Sequence, residues 1–485
     1  MKKEFFRDKY NLALLGILLL AFIIRIKYFN INTGLWWDES EYLNTAKHWV
    51  FKIPLDLNAQ RPPLFSLLIA SLYIVKANES VIRFILVLIP SFLTVLFTYL
   101  TGKLLYDKKI ALIASFIMSV FWLLIFNTTR VHTDALALFF YVLAIYLFFR
   151  YYVKEYNKKY IWLIGPILAL SFLTRLASIL VIISIGIYLL FTERLNFLKK
   201  KDLWISAILG IIPIIFYLIW NKATFGSFLA FSKSYTQGFS GGPAWYILKF
   251  FQAYTEWIYF ILFLLGVLTL YKLFIGFDLL LKNKEGSLKA DFFILLWILV
   301  PLIYFIFFQR AAEDRWLMII APAIFLLVGK GCMVIYNFIH KHNKYIAIGV
   351  ITILLAYGAY LQVDHTKKLI NDKKDTYQQV RLAGLWIKEN SLPSDNVLAN
   401  NVYMELLYSS ERKIIDIGTE EGIKEKIKKN KPKYYVVTAF YPSEQWTYEF
   451  PTKYPDVVKP IQAYFLDQEQ KKPAVIVYEF LKYDF

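Results

Sequence analysis

Eleven stretches of mostly apolar residues, separated by short charged segments, limit what this chain can fold into. They fall at roughly 11–30, 82–102, 109–127, 134–150, 160–174, 176–192, 203–221, 256–273, 291–308, 315–333 and 345–362. Backbone amides inside hydrocarbon have no water to bond, so a run of about 20 apolar residues crosses a bilayer as an α-helix. The runs at 160–174 and 176–192 are short and meet at Thr174-Arg175, which predicts a tight hairpin. "LFSLLIASLYIVK", Leu64 to Lys76, is apolar but too short to span, and reads as a helix lying at the interface. With 58% hydrophobic residues among 485 and a mean hydropathy of +0.47, the chain has too little polar surface for a water-soluble globule. The first run lacks a small-residue cleavage site and is expected to stay as a span.

The charge follows the same segmentation. Loops at 1–10, 103–109, 150–160, 193–202, 274–290 and 336–344 each carry at least two Lys or Arg. That bias predicts a multi-pass protein of the plasma membrane with a cytoplasmic N-terminus and the 31–81 loop on the outer face. The formal charge of +19 then belongs to topology and lipid headgroups, with no nucleic acid as partner. A single cysteine, Cys332, lies inside an apolar run and has no disulfide partner, and with five histidines a zinc centre is not expected.

Residues 1–362 thus form a transmembrane domain, and composition changes after Gln362. "TYQQVRLAGLWIKEN" and "EEGIKEKIKKN" have helical spacing, whereas "RKIIDIG", "KYYVVTAF" and "AVIVYEFL" read as strands. The overall expectation is a polytopic α-helical membrane protein plus a small extracytoplasmic α/β domain over 363–485.

Polar residues gather at the predicted outer rim. "GLWWDESEYLNTA" places Asp38 and Glu39 just beyond the first span. A carboxylate there avoids the cost of burial in hydrocarbon. Spacing also allows a plain structural role, with Asp38 as helix N-cap and Glu41 closing a capping box. "AQRPPLFSLL" fixes Arg61 before Pro62-Pro63, which forces the arginine into extended backbone. "NTTRVHTDALALFF" brings Arg130, His132 and Asp134, "FLTRLAS" brings Arg175, and "FQRAAEDRWLMIIAPA" brings Arg310 and Arg315. Guanidinium forks suit phosphate oxygens. For Arg25, near the end of the first span, snorkelling to the interface is the reading.

"WWDESEYL", "RPPLFSLLIA", "VIRFILVLIPSFLTVLFTYLTGKLLYDKKIALIASFIMS", "TRVHTDALALFF", "LALSFLTRLAS" and "EDRWLMIIAPA" occur in an order and at a spacing that resemble the glycosyltransferase C superfamily. Over residues 10–330 the chain is similar above all to protein-mannosyltransferase-like and aminoarabinose-transferase-like membrane enzymes. The resemblance implies a polyprenyl-phosphate-linked sugar as donor and action at the outer or lumenal face. In it Asp38 matches the acidic residue proposed as catalytic base, Arg61 the basic residue beside Pro-Pro, and Asp134 the second outer-loop aspartate. The chain departs from the aminoarabinose pattern at Glu41, where those enzymes usually carry arginine, and at Arg61, where they use lysine.

The expected reaction moves a sugar to a lipid, protein or glycan acceptor with inversion. Asp38 serves as base, with Glu39 or Asp134 orienting it. Arg61 and Arg315 hold the leaving phosphate, supported by Arg175, Arg130 and Arg310. Tyr42, His132, Tyr235 and Trp245 are expected along the acceptor or sugar path, and "GFSGGPAW" could be a lid. No cofactor is required, and a divalent metal is compatible with the acids without a legible ligand set. A transporter or flippase is the rival class, disfavoured because the span interiors carry almost no charge. A non-catalytic cell-envelope assembly protein is the other.

Overall fold

The computed structural model describes residues 8–231, 251–276, 286–308, 313–467, 469 and 471–485. They divide into two compact units. One comprises the chain up to Phe29, Asn58–Phe65 and Arg83–Leu369, and the other Asn30–Leu57, Ser66–Ile82 and Ile370–Phe485. The boundary expected at 362/363 therefore falls inside a continuous helix, Lys344–Lys373. Most of the first long loop belongs with the C-terminal unit, because its apolar residues, such as Ile53, are buried in that unit's core.

Among the described residues nine helices are long and apolar enough to cross a membrane, or ten with one bent pair counted as a span. Eleven spans were the sequence expectation. The difference lies at 160–174, where a 3-10 turn over Lys158–Leu163 leaves an α-helix of only 11 residues, Ile164–Thr174. Arg175 then turns extended (φ −152°, ψ 121°) and makes the hairpin into the next span. Leu64–Ile74 is a short apolar helix, as its length predicts.

The bent pair is Lys108–Val120 and Trp122–Thr128, inclined at 49°. Phe121 adopts extended backbone at the break (φ −60°, ψ 114°). Irregular backbone at membrane depth needs substitute hydrogen-bond partners. Gln362 provides one, accepting from the Trp122 N–H at 2.9 Å while its own amide donates to the Tyr254 carbonyl at 3.0 Å. Arg25 provides another. It does not snorkel: it is 1% exposed and donates to Ser91 Oγ at 2.7 Å and to the Ala21 and Ser119 carbonyls at 3.1 and 2.9 Å. Arg25→Met is expected to cost about 1–3 kcal/mol by stranding these acceptors. The readout is the unfolding midpoint of the detergent-purified protein, and an unchanged midpoint would show that Arg25 does not support the break.

Close helix packing needs small residues. Helices Phe251–Leu268 and Ala321–His340 meet backbone to backbone. A Cβ on Gly266 would overlap the Leu327 carbonyl, and one on Gly331 the Leu262 carbonyl.

The second unit is a three-layer α/β structure. Five strands, β1 (Asn396–Ala399), β2 (Lys413–Asp416), β3 (Tyr434–Thr438), β4 (Val458–Phe465) and β5 (Pro473–Phe480), lie in the order β2-β1-β3-β5-β4. The pairs β1/β2 and β1/β3 are parallel, and β3/β5 and β4/β5 antiparallel. Alternate residues of β3 enter different cores. Tyr434 and Val436 meet Val380, Ala383 and Ile387 of the helix Gln378–Glu389, whereas Tyr435 and Val437 meet Ile423, Ile427 and Phe450. Helices cover both faces, so every residue of β3 is buried and it reads as a continuous apolar run.

Candidate active site

Asp38 and Glu39 occupy the first turn of the helix Trp37–Phe51, and the structure gives them different tasks. Trp36, not Asp38, stands at the N-cap, and its backbone N–H donates to Glu39 Oε2 at 3.0 Å. The third helical residue thus reaches back to the cap, which is half of a capping box displaced by two residues from the expected one. Glu39 is fully buried and Asp38 half-buried. Asp38 is left out of this capping bond, in a turn whose backbone N–H groups favour a negative charge. Glu41 and Tyr42 are buried, and the Tyr42 carbonyl accepts from Ser66 Oγ at 3.2 Å.

Within the same unit the helix Tyr403–Ser410 packs on this one. Asn44 Nδ2 donates to the Met404 carbonyl at 2.8 Å, Lys47 Nζ to the Tyr408 carbonyl at 3.2 Å, and Lys47 pairs with Glu411 at 2.7 Å. The next residue after Met404, Glu405, is 3% exposed. Burial pushes its carboxyl up to about 7, the negative charges of Asp38 and Glu39 push the same way, and the Tyr441 hydroxyl opposes them. Sequence reasoning missed Glu405, since no local pattern ties it to a motif more than 360 residues earlier.

The membrane unit holds a second polar group. Asp134 opens the helix Asp134–Leu147 and is ion-paired through Oδ1 with Arg175 Nη1. Asp134 Oδ2 is buried without a hydrogen-bond partner. Arg175, assigned from sequence to the phosphate, is thus engaged by an acid. Arg315 Nη1 lies 3.4 Å from His132 Nδ1, and Arg315 Nε pairs with Glu313 Oε2 at 2.5 Å. Asp134 and Asp314 both lie within electrostatic range of Tyr254. The structure therefore brings together His132, Asp134, Arg175 and Arg315 from sequence, and adds Glu313, Asp314 and Tyr254. The acids of "AAEDRW" were legible as its charged residues, but Tyr254 was hidden in an apolar run.

The other arginines are placed as follows. Arg130 is fully buried in the turn before Asp134. Arg61 is half-buried in the bend before the Leu64–Ile74 helix, its N–H donating to the Asn58 carbonyl at 3.2 Å. Arg83 donates to the Phe29 carbonyl at 3.4 Å, at the end of the first span. Arg310, Tyr235, Trp245 and the "GFSGGPAW" segment lie outside the described residues. Among the described residues no group of three or more His, Cys, Asp or Glu is placed to hold a metal ion. A cavity of about 330 Å³ lies at the other end of the Asp134–Val153 span, lined by Tyr152, Glu193, Lys200 and Lys289. There Glu193 accepts from the Tyr152 hydroxyl and pairs with Lys200, each at 2.9 Å, so its charge is already met.

The bundle of apolar helices joined to a small α/β unit is a fold that the chain shares with several solved membrane proteins. Residues 60–220 match the family described as dolichyl-phosphate-mannose-protein mannosyltransferase. The structure is similar to ArnT from Cupriavidus metallidurans bound to undecaprenyl phosphate, with a TM-score of 0.69 at 10% identity, covering 97% of this chain and 98% of that one. It is also similar to the archaeal oligosaccharyltransferase AglB from Archaeoglobus fulgidus in complex with an inhibitory peptide and a dolichol-phosphate. There the TM-score is 0.62 at 14% identity, over 88% of this chain and 69% of the other. Similarity to the arabinofuranosyltransferase AftD from Mycobacteria has a TM-score of 0.60 at 10% identity and covers 97% of this chain and 40% of that one. No curated protein sequence matches the chain.

Proposed function

We propose that this protein is an inverting glycosyltransferase that moves a sugar from a polyprenyl-phosphate-linked donor to a lipid, protein or glycan acceptor at the outer face of the plasma membrane. The observation that carries the reading is the fold shared over nearly the whole of both chains with a structure that binds undecaprenyl phosphate. The match of residues 60–220 to a dolichyl-phosphate-mannose family supports it.

In this reading an acceptor O–H or N–H attacks the anomeric carbon. The bond from that carbon to the phosphate oxygen breaks, and its electron pair stays on the departing lipid phosphate. Asp38 takes the acceptor's proton. It suits the task because it is half-buried and takes no part in the capping bond of its helix, which Glu39 makes. Charge grows on the phosphate as the bond breaks, so guanidinium groups there stabilise the transition state more than the bound donor. Arg315 and Arg61 are the partners assigned to it, with Arg130 and Arg310 in support. Arg175 acts through Asp134, holding that carboxylate in place. The N-terminus is assigned to the cytoplasm and the α/β unit to the outside, following the lysine bias of the loops.

The test supplies purified protein in lipid with undecaprenyl-phosphate-linked sugars and follows release of free undecaprenyl phosphate. Release that needs both the protein and an acceptor is the expected result. Intact donor moved between leaflets, with no bond broken, would replace the transferase by a transporter.

A further inference from the structure

The cavity at the far end of the Asp134–Val153 span lies where three spans meet at their ends: Asp134–Val153, Leu176–Glu193 and Ser287–Phe307. Two departures from regular backbone shape it. The first of these spans finishes as a π-helix over Phe148–Val153, which carries Tyr152 and Val153 of the lining. Arg194, just after the second, adopts a positive φ of 55°, which costs a non-glycine residue free energy. The chain then turns through the 3-10 helix Asn196–Lys199, and Lys200 returns with its ammonium 4.4 Å from the Tyr152 ring centroid. Irregular backbone of both kinds is enriched at functional sites.

The lining is basic in balance. Its acids are Glu193 and Glu155, and both are engaged. Glu193 pairs with Lys200 and accepts from the Tyr152 hydroxyl, each at 2.9 Å, and Glu155 pairs with Lys158 at 2.9 Å. Lys289, half-buried at the start of the third span, lines the cavity with no ion-pair partner among the described residues. Further cations, Lys154, Arg194, Lys199 and Lys201, follow the span ends, and the lysine bias assigns this end to the cytoplasm. The volume of about 330 Å³ falls within the range of small-ligand pockets, about 300–1,000 Å³, and gives room for a headgroup. On either side of the lining residue Asn196, Leu195 and Leu198 are 63% and 43% exposed, apolar surface of the kind that an acyl chain covers.

We propose that this cavity binds the phosphodiester headgroup of an anionic phospholipid from the cytoplasmic leaflet. Lys289 supplies the unmatched charge to the phosphate oxygens, and the side-chain amide of Asn196 supplies a further donor. Lys200 stays with Glu193. A phosphodiester carries a single negative charge, which balances the one lysine of the lining that no acid meets. Basic pockets between spans on the cytoplasmic side are known to take such headgroups. Leu195 and Leu198 favour a lipid over a free phosphate ion, since covering apolar surface is a gain that the ion cannot supply. The site uses none of the groups assigned to sugar transfer, so its occupancy is independent of that reaction.

The test follows thermal unfolding of the full-length protein in a neutral detergent while phosphatidylglycerol, phosphatidylcholine or inorganic phosphate is titrated in. Phosphatidylglycerol should raise the unfolding midpoint saturably, because a ligand that binds only the folded state stabilises it. Phosphatidylcholine and inorganic phosphate at the same concentrations should not. Lys289→Gln should raise the phosphatidylglycerol concentration needed for half the shift by about 10-fold or more, and Asn196→Ala by about 3-fold or more. Asn196 is exposed, so its substitution leaves packing intact. Lys341→Gln removes an exposed lysine from another loop and should leave the titration unchanged. An equal shift with phosphatidylcholine, or a response weakened as much by Lys341→Gln as by Lys289→Gln, overturns the proposal, since neither requires this cavity. An equal shift with inorganic phosphate overturns the lipid as the source of the phosphate. If Lys289→Gln does not fold, Asn196→Ala decides alone, and an unchanged titration in it overturns the proposal.

Discussion

Asp38→Asn is expected to cut sugar transfer by about 10²–10⁴-fold while the protein folds and holds its donor lipid. The prediction draws its force from the division of labour in one helical turn. The Trp36 N–H is satisfied by Glu39, so removing charge from Asp38 leaves this capping bond intact. A loss confined to kcat, with donor KM and unfolding midpoint near the wild-type values, is the signature of a group that acts in the transition state. Glu39→Ala is the contrasting variant. It strips the capping partner and should lower stability by about 1 kcal/mol. Transfer by Asp38→Asn at the wild-type rate would remove Asp38 as base. A large drop in its unfolding midpoint would make its role structural.

The second large effect is expected at Arg175. Asp134 is only 2% exposed and Arg175 19%, so their ion pair is mostly removed from water. Breaking a buried pair from one side strands the other charge, at a cost of about 3–5 kcal/mol. Arg175→Met should therefore destabilise the protein by that amount, read from unfolding of the purified protein in lipid. Asp134→Asn in the Arg175→Met background should recover part of the loss, because no bare carboxylate remains. The double-mutant cycle isolates the pair from the other effects of each substitution. A cost under about 1 kcal/mol for Arg175→Met would place the pair among exposed ones. Arg175 would then be available to a ligand, as its sequence context suggests.

Much of this architecture was legible in the sequence. Apolar length located the long spans, and the Thr174-Arg175 hairpin followed from two runs too short to stand apart. In the α/β unit, "KYYVVTAF" and "AVIVYEFL" are strands β3 and β5, and "RKIIDIG" contains β2. Strand β1 was missed: "NVLA" is only four residues long and is stabilised by neighbours on both sides. The helix Tyr403–Ser410 was missed as well, since its polar residues Glu405, Ser409 and Ser410 are buried along with its apolar ones and blur the helical period. The broken span at Phe121 was invisible, because its partners Arg25 and Gln362 lie far away in the sequence.

The order of apolar runs and charged loops determined by itself that this chain is a polytopic membrane protein with a polar α/β tail. Hydration of backbone amides is a local cost, and every residue contributes its share wherever it lies. Which carboxylate caps a helix, which arginine is spoken for, and which distant helix packs on the one that carries Asp38 were decided only by tertiary structure. Those properties depend on the distance and burial of particular pairs, and neither is fixed until residues hundreds of positions apart are packed together.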